Sequence, residues 1–122
     1  MRRDFTYVDD VVEAVERVLA RTPTKTDTPP GGELDPATST APWRIYNIGN
    51  NRTVEVARVV ELLEQEFGRK AKIELLPIQP GDVLETCADV DDLMRDVGFR
   101  PSTPLEQGVR NFVAWYRDYY RQ

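Results

Sequence analysis

The spacing of apolar residues changes several times along the chain, and each change marks an element. Arg3–Tyr7 reads as a short strand. Val8, Val11, Val12, Val15 and Leu19 then recur at intervals that place them on one side of a helix, with Glu13, Glu16 and Arg17 between them on the wet side. Thr6 is placed to cap this helix, Asp9 stands in the capping-box position, and Pro23 stops it near Arg21. In WRIYNIG the period drops to two. Trp43, Ile45 and Asn47 fall on one side and Arg44, Tyr46 and Ile48 on the other, which predicts a strand ended by Gly49 and a turn at Asn50-Asn51. Helical spacing returns with Val56, Val59, Val60, Leu63 and Phe67, capped at Thr53 and closed by Gly68. Arg69 and Lys70 follow, where the carbonyl end of a helix attracts cations. KIELLPI predicts a third strand, which Pro77 brings to an edge or a turn. A short helix over Asp89–Val97 stops at Gly98. A longer one is announced by STPLEQGV, with Thr103 as N-cap, Pro104 in the first turn and Glu106 completing the box. Its stripe is Leu105, Val109, Phe112, Tyr116 and Tyr120, flanked by Trp115 and Tyr119, and such an aromatic row predicts core contacts.

Strand, helix, strand, helix, strand and a helical end together predict an α/β fold: a small, largely parallel sheet with crossover helices, in one domain over residues 1–122. Residues 22–42 interrupt it. They hold five of the nine prolines and almost no large apolar side chain, so they read as a Pro-rich, mobile surface insertion.

Composition narrows the chemistry. The chain is 40% hydrophobic and 30% charged, the balance of a soluble globular domain. A net charge of −5 argues against nucleic acid or an anionic membrane as a partner. No apolar run is long enough to span a bilayer and no secretion signal is evident, which makes the cytoplasm the expected location. Cys87 is the sole cysteine and histidine is absent, so a disulfide, a thiolate metal cage and a His-activated nucleophile are all excluded within the chain. Asp9/Asp10 and Asp91/Asp92 are acid pairs, but each lies in a first helical turn, where carboxylates favour the positive dipole end. No Gly-rich strand-to-helix turn is present to cradle a dinucleotide.

Two polar stretches remain as candidate sites. One is Arg3-Asp4. The other is IQPGDVLETCAD, in which Pro80-Gly81 forces a turn, Asp82 projects from it, and Gln79 and Thr86 sit in a loop leaving a strand. Asn50 and Asn51 follow another strand end. Open α/β folds bind ligands at the carboxyl ends of their strands.

RRDFTYVDDVVEAV, YNIGN, QPGDVLETCAD and GFRPSTPLEQGVRNFVAWY occur in an order that resembles the extended short-chain dehydrogenase/reductases, the NAD-dependent nucleotide-sugar epimerases and dehydratases. The RRDF opening, the insertion before APWRIYNIGN and QPGDV are most similar to the UDP-glucuronate 4-epimerase branch. The resemblance implies that Met1 corresponds to an internal residue, and that the Rossmann domain with its glycine fingerprint and Tyr-x-x-x-Lys pair is absent. The chain would then be a C-terminal substrate-binding portion with no catalytic residue of its own. NAD would serve the full-length parent and bind nowhere on this chain. In the implied full reaction a hydride leaves C4 of the sugar and returns to the other side, a chemistry that NAD carries. Arg3 matches the arginine that contacts the diphosphate and Asp82 the aspartate that binds the ribose. Thr86 falls near the sugar pocket. Gln79 stands where arginine is common in the wider family, and an amide donates a hydrogen bond without neutralising phosphate. Asp4 reads as a structural hydrogen-bond partner. The alternatives are a fragment of a related dehydratase and a non-catalytic binding or oligomerisation module. Apolar surface left uncovered by the missing half predicts a dimer or higher oligomer.

Overall fold

Two buried patches hold the chain together, in a computed structural model that describes residues 1–25 and 35–121. The elements are β1 (Arg2–Asp4), α1 (Val8–Leu19), β2 (Thr53–Glu55), α2 (Val56–Phe67), α3 (Asp91–Val97) and α4 (Leu105–Tyr120). In the first patch α2 packs on α4, with Leu62, Val109 and Val113 buried and Leu63, Phe67 and Leu105 packed around them. The Phe67 and Tyr116 rings meet edge to face, 5.5 Å between centroids, the geometry their quadrupoles favour. In the second, α1 packs on α3, and Ala14, Val90 and Leu93 are buried. Full burial of a leucine such as Leu93 contributes about 2 kcal/mol.

The helices begin and end close to where their periodicity places them. Gly68 and Gly98 close α2 and α3 in the left-handed conformation, with φ of 70° and 65°, which glycine adopts without steric cost. The expected caps do not cap. Tyr7, Glu55 and Pro104 occupy the N-cap positions of α1, α2 and α4 and make no side-chain cap bond. Thr53 lies in β2, where its hydroxyl accepts from the Arg2 guanidinium (2.9 Å). The Thr103 hydroxyl donates to Asp10 Oδ1 (2.9 Å), and Glu106 pairs with Arg58 (3.3 Å). Tertiary partners have taken the side chains that local geometry would have used.

The sheet also differs from the expected one. The described residues form an α/β arrangement, but its two strands are antiparallel, pairing Arg2 with Glu55, Arg3 with Val54 and Asp4 with Thr53. Parallel pairing is confined to the isolated bridge of Arg2 with Glu85. WRIYNIG is not a strand beyond the single bridge of Thr38 with Arg44. Its alternation is nevertheless real: Arg44, Tyr46 and Ile48 are half-buried while Trp43, Ile45 and Asn47 are exposed. KIELLPI forms no strand either, and Ile73, Leu75, Leu76 and Ile78 are all exposed. A strand needs a ladder of such pairs; WRIYNIG has the single bridge and KIELLPI has none among the described residues. The aromatic row of α4 is likewise displaced from the core. Val109 and Val113 are buried, whereas Phe112, Trp115, Tyr119 and Tyr120 are about half exposed or more. The centre of the insertion expected over 22–42, residues 26–34, lies outside the described residues. On its C-terminal side Asp35 Oδ1 accepts from the Ala37 amide (2.9 Å) in a local turn.

Candidate functional site

The candidate site grows out of β1. Asp4, at the end of that strand, turns its carboxylate onto three backbone amides: Asn50 (3.0 Å), Asn51 (3.0 Å) and Ala88 (3.0 Å). One side chain thereby ties β1 to the turn after WRIYNIG and to the segment after Thr86. Gly49 permits the approach. A Cβ there would lie 2.3 Å from the Ala88 Cβ and 2.8 Å from Asp4 Oδ2, inside van der Waals contact. Asn50 Nδ2 reaches the carbonyls of Phe5 and Thr103 (both 3.4 Å), and Cys87 Sγ donates to Asn51 Oδ1 (3.4 Å). The two asparagines read as a polar rim are therefore largely engaged in holding loops together.

Beside this junction the backbone of Arg2 is sandwiched by the QPGDVLET segment: its amide donates to Leu84 O (2.9 Å) and its carbonyl accepts from Thr86 N (3.3 Å). Upstream, Asp82 N donates to Gln79 O (3.1 Å), and Gly81 takes φ of 94°. With Pro80 before it, this is a type II turn, which requires a positive φ at its third residue. Gln79 Nε2 folds back on Pro77 O (3.2 Å), and Arg3 Nη1 donates to Arg2 O (2.9 Å). Gln79, Asp82 and Thr86 are exposed and Arg3 is half-buried. No hydrogen bond or ion pair joins the four side chains among the described residues. Neither the 620 Å³ groove between α2 and α4 nor the 350 Å³ cleft beside Phe5–Tyr7 includes any of them. What ties them is backbone: Arg2, next to Arg3, pairs with the segment that carries Thr86, four residues beyond Asp82.

Sequence reasoning missed two polar anchors that position these segments. Asp10 accepts from Ser102 N (3.1 Å), Thr103 N (2.9 Å) and the Thr103 hydroxyl, joining the start of α1 to the approach of α4. Arg44 bridges Asp92 (2.7 Å) and Asp96 (2.9 Å) on α3, and Tyr46 donates to Asp96 (2.9 Å). Burial raises the Asp92 carboxyl, but the bonds from Arg95 and Arg44 outweigh it and hold Asp92 below the usual carboxylate range. Burial and the hydrogen bond to Asp96 push the Tyr46 phenol up. The half-buried positions of WRIYNIG hinted at an anchor. Its partners lie some 48 residues away, beyond any local signal.

The two strand-to-helix junctions among the described residues bear on the cofactor. β1 leads into α1 through Phe5-Thr6-Tyr7, and β2 runs directly from Glu55 into α2. A dinucleotide needs glycines and a free helix N-terminus there. An aromatic residue at one junction and a carboxylate at the other do not fit a pyrophosphate, so these residues do not hold NAD.

The family model described as GDP-mannose 4,6 dehydratase matches residues 1–112. The chain belongs to this family. Within the extended short-chain dehydrogenase/reductases its sequence is most like the UDP-glucuronate 4-epimerases. It is 46% identical over 122 residues to Protein CapI of Staphylococcus aureus, covering all of this chain and 36% of that protein. It is 41% identical over 123 residues to a probable UDP-glucuronate 4-epimerase of Rhizobium meliloti (strain 1021), with the same coverage. Among solved structures it matches MoeE5 in complex with UDP-glucuronic acid and NAD, at 27% identity and a TM-score of 0.73, over 97% of this chain and 34% of that one. The chain thus spans about a third of the length of the family members it matches.

Proposed function

We propose that this chain is the substrate-gripping portion of an NAD-dependent UDP-sugar epimerase acting on UDP-glucuronate. The observation that carries the reading is the backbone pairing of Arg2 with Leu84 and Thr86. It ties the residue before Arg3 to the segment that carries Thr86, which follows the turn bearing Gln79 and Asp82. Arg3 offers planar donors to diphosphate oxygens. Asp82, on its type II turn, accepts from ribose hydroxyls, Gln79 donates a neutral hydrogen bond beside the phosphates, and Thr86 borders the sugar. None of these groups abstracts a proton or carries a hydride. The chain's contribution is to bind and orient, while NAD and the reacting groups belong to the remaining length of the family's proteins. A fragment of a nucleotide-sugar dehydratase is the second reading, favoured by the description of the matching family model.

Titration with UDP, followed by amide and side-chain resonances, tests the reading. Shifts confined to Arg3, Gln79, Asp82, Thr86 and their neighbours are expected, with millimolar affinity because Gln79, Asp82 and Thr86 are exposed. Asp82→Ala should weaken binding roughly tenfold, the loss of one or two charged hydrogen bonds. Absence of binding at millimolar UDP, or shifts located elsewhere, would remove the assignment. Supplied with NAD and UDP-glucuronate, the chain alone should give no UDP-galacturonate.

A further inference from the structure

The turn that carries Gln79 and Asp82 hangs between two anchors. At its upstream end Glu64 holds Lys70 and the Ala71 amide (2.6 and 2.8 Å). At its downstream end Leu84 and Thr86 bond to the backbone of Arg2. Among the described residues no hydrogen bond or ion pair joins 72–83 to any other segment; Gln79 to Pro77 and Asp82 to Gln79 are local. The downstream anchor is more than backbone. β1 pairs Arg2 with Glu55, Arg3 with Val54 and Asp4 with Thr53 on one side, and on the other Arg2 bridges Glu85 in parallel. Side chains alternate along extended backbone, and residues paired across strands share a face. Arg2, Asp4, Thr53 and Glu85 therefore fall on one face, and Arg3 on the other. On the first face the Arg2 guanidinium reaches two ways. Nε and Nη2 donate to the Thr53 hydroxyl (3.2 and 2.9 Å), Nη2 also donates to the Thr53 carbonyl (3.0 Å), and Nε lies 3.6 Å from Glu85 Oε1. Both members of that ion pair are about half exposed, at 46 and 51%, so the bonds to Thr53 carry most of the hold. A planar fork of donors engages both neighbours at once, which a single ammonium does less well.

We infer that Arg2 is a positioning residue: it locks β2, β1 and the Leu84–Thr86 segment together from the face opposite Arg3, and so fixes the end of the turn that presents Gln79 and Asp82. The inference rests on the substrate-gripping function proposed for those residues. Two adjacent arginines of identical chemistry thereby take different tasks, because strand alternation sends one guanidinium to the scaffold and leaves the other for the diphosphate. Without the Arg2 side chain the turn samples more positions. Apparent affinity then falls by the fraction of time the turn spends in place, while the bound arrangement stays the same.

The experiment compares wild type, Arg2→Ala and Arg2→Lys by amide exchange without ligand and by UDP titration followed by resonance shifts. Arg2→Ala should speed exchange of the Thr86 amide about tenfold and leave the amides of α2 and α4 unchanged. It should weaken UDP binding roughly fivefold. At saturating UDP the Arg3 and Asp82 resonances should still reach their wild-type bound positions, and Arg2→Lys should recover part of both effects. Far-UV circular dichroism checks that each variant folds. If Arg2→Ala does not, Thr53→Val and Glu85→Gln replace it, each releasing one side of the guanidinium with smaller effects in the same direction. Exchange that is unchanged, or raised uniformly along the chain, would overturn the hold. Faster local exchange with unaltered UDP affinity would overturn the positioning role and leave the proposed function standing. A wild-type chain that binds no UDP would overturn that function and this role with it. A nuclear Overhauser contact between the Arg2 guanidinium and bound UDP would overturn the assignment of faces.

Discussion

At the scale of single residues, the fold depends on a few polar side chains that each satisfy several backbone groups. Asp4 accepts from three amides contributed by two segments distant in sequence. Bonds to a charged acceptor are worth more than neutral ones, and removing it strands the amides. Asp4→Ala should therefore cost about 3 kcal/mol in urea unfolding, with Asp4→Asn intermediate because an amide retains one accepting oxygen. Gly49 is constrained by space rather than by its dihedral angles. Gly49→Ala should destabilise by about 2 kcal/mol through overpacking against Ala88, and Ala88→Gly in the same chain should recover part of the loss. The sequence read Asp4 correctly as a structural hydrogen-bond partner, but read Gly49 as the end of a strand that does not form. It could not show that they meet, because the 44 residues between them carry no record of the approach.

At the scale of elements, what was legible depended on where the hydrogen bonds go. Helices satisfy their own backbone, so α1, α2, α3 and α4 appeared where periodicity placed them, and the glycine stops of α2 and α3 hold. The extended segments needed partners, and two of the three expected strands have no ladder among the described residues. What holds 43–46 instead is the ion network of Arg44 with α3, and this predicts two pH limbs. Asp92 titrates lower in the fold than in the unfolded chain. Its contribution is thus complete above the ordinary value of 3.8 and is lost as pH falls through the depressed value. Tyr46 titrates higher in the fold. Its contribution is complete below 10.0 and is lost as pH rises through the raised value. Thermal melts across pH should show Asp92→Asn flattening the acid limb and Tyr46→Phe flattening the alkaline one, each without affecting the other. Because Asp92 is over a third exposed, the acid effect should be small and weakened by salt.

At the scale of the whole molecule, the two buried patches are joined chiefly by polar ties and a three-residue strand pair, so they should be separable. Leu93→Ala removes a fully buried side chain from the α1/α3 patch and should cost about 3 kcal/mol. Amide exchange should then rise in α1 and α3 well before α2 and α4, and a uniform rise would indicate a single cooperative unit. No helix among the described residues is long and apolar enough to cross a membrane. Apolar side chains of α1 and of residues 73–84 are exposed, in a chain that spans about a third of its relatives' length. The amino-acid sequence by itself determined the helices, their stops, the Pro80-Gly81 turn and the family to which the motifs belong, since all of these rest on contacts between residues a few positions apart. Only the tertiary structure decided which extended segments pair, which side of α4 is buried and which side chains leave their caps for distant partners. Those outcomes depend on competition among groups far apart in the chain, where burial and a better-placed acceptor outweigh local preference.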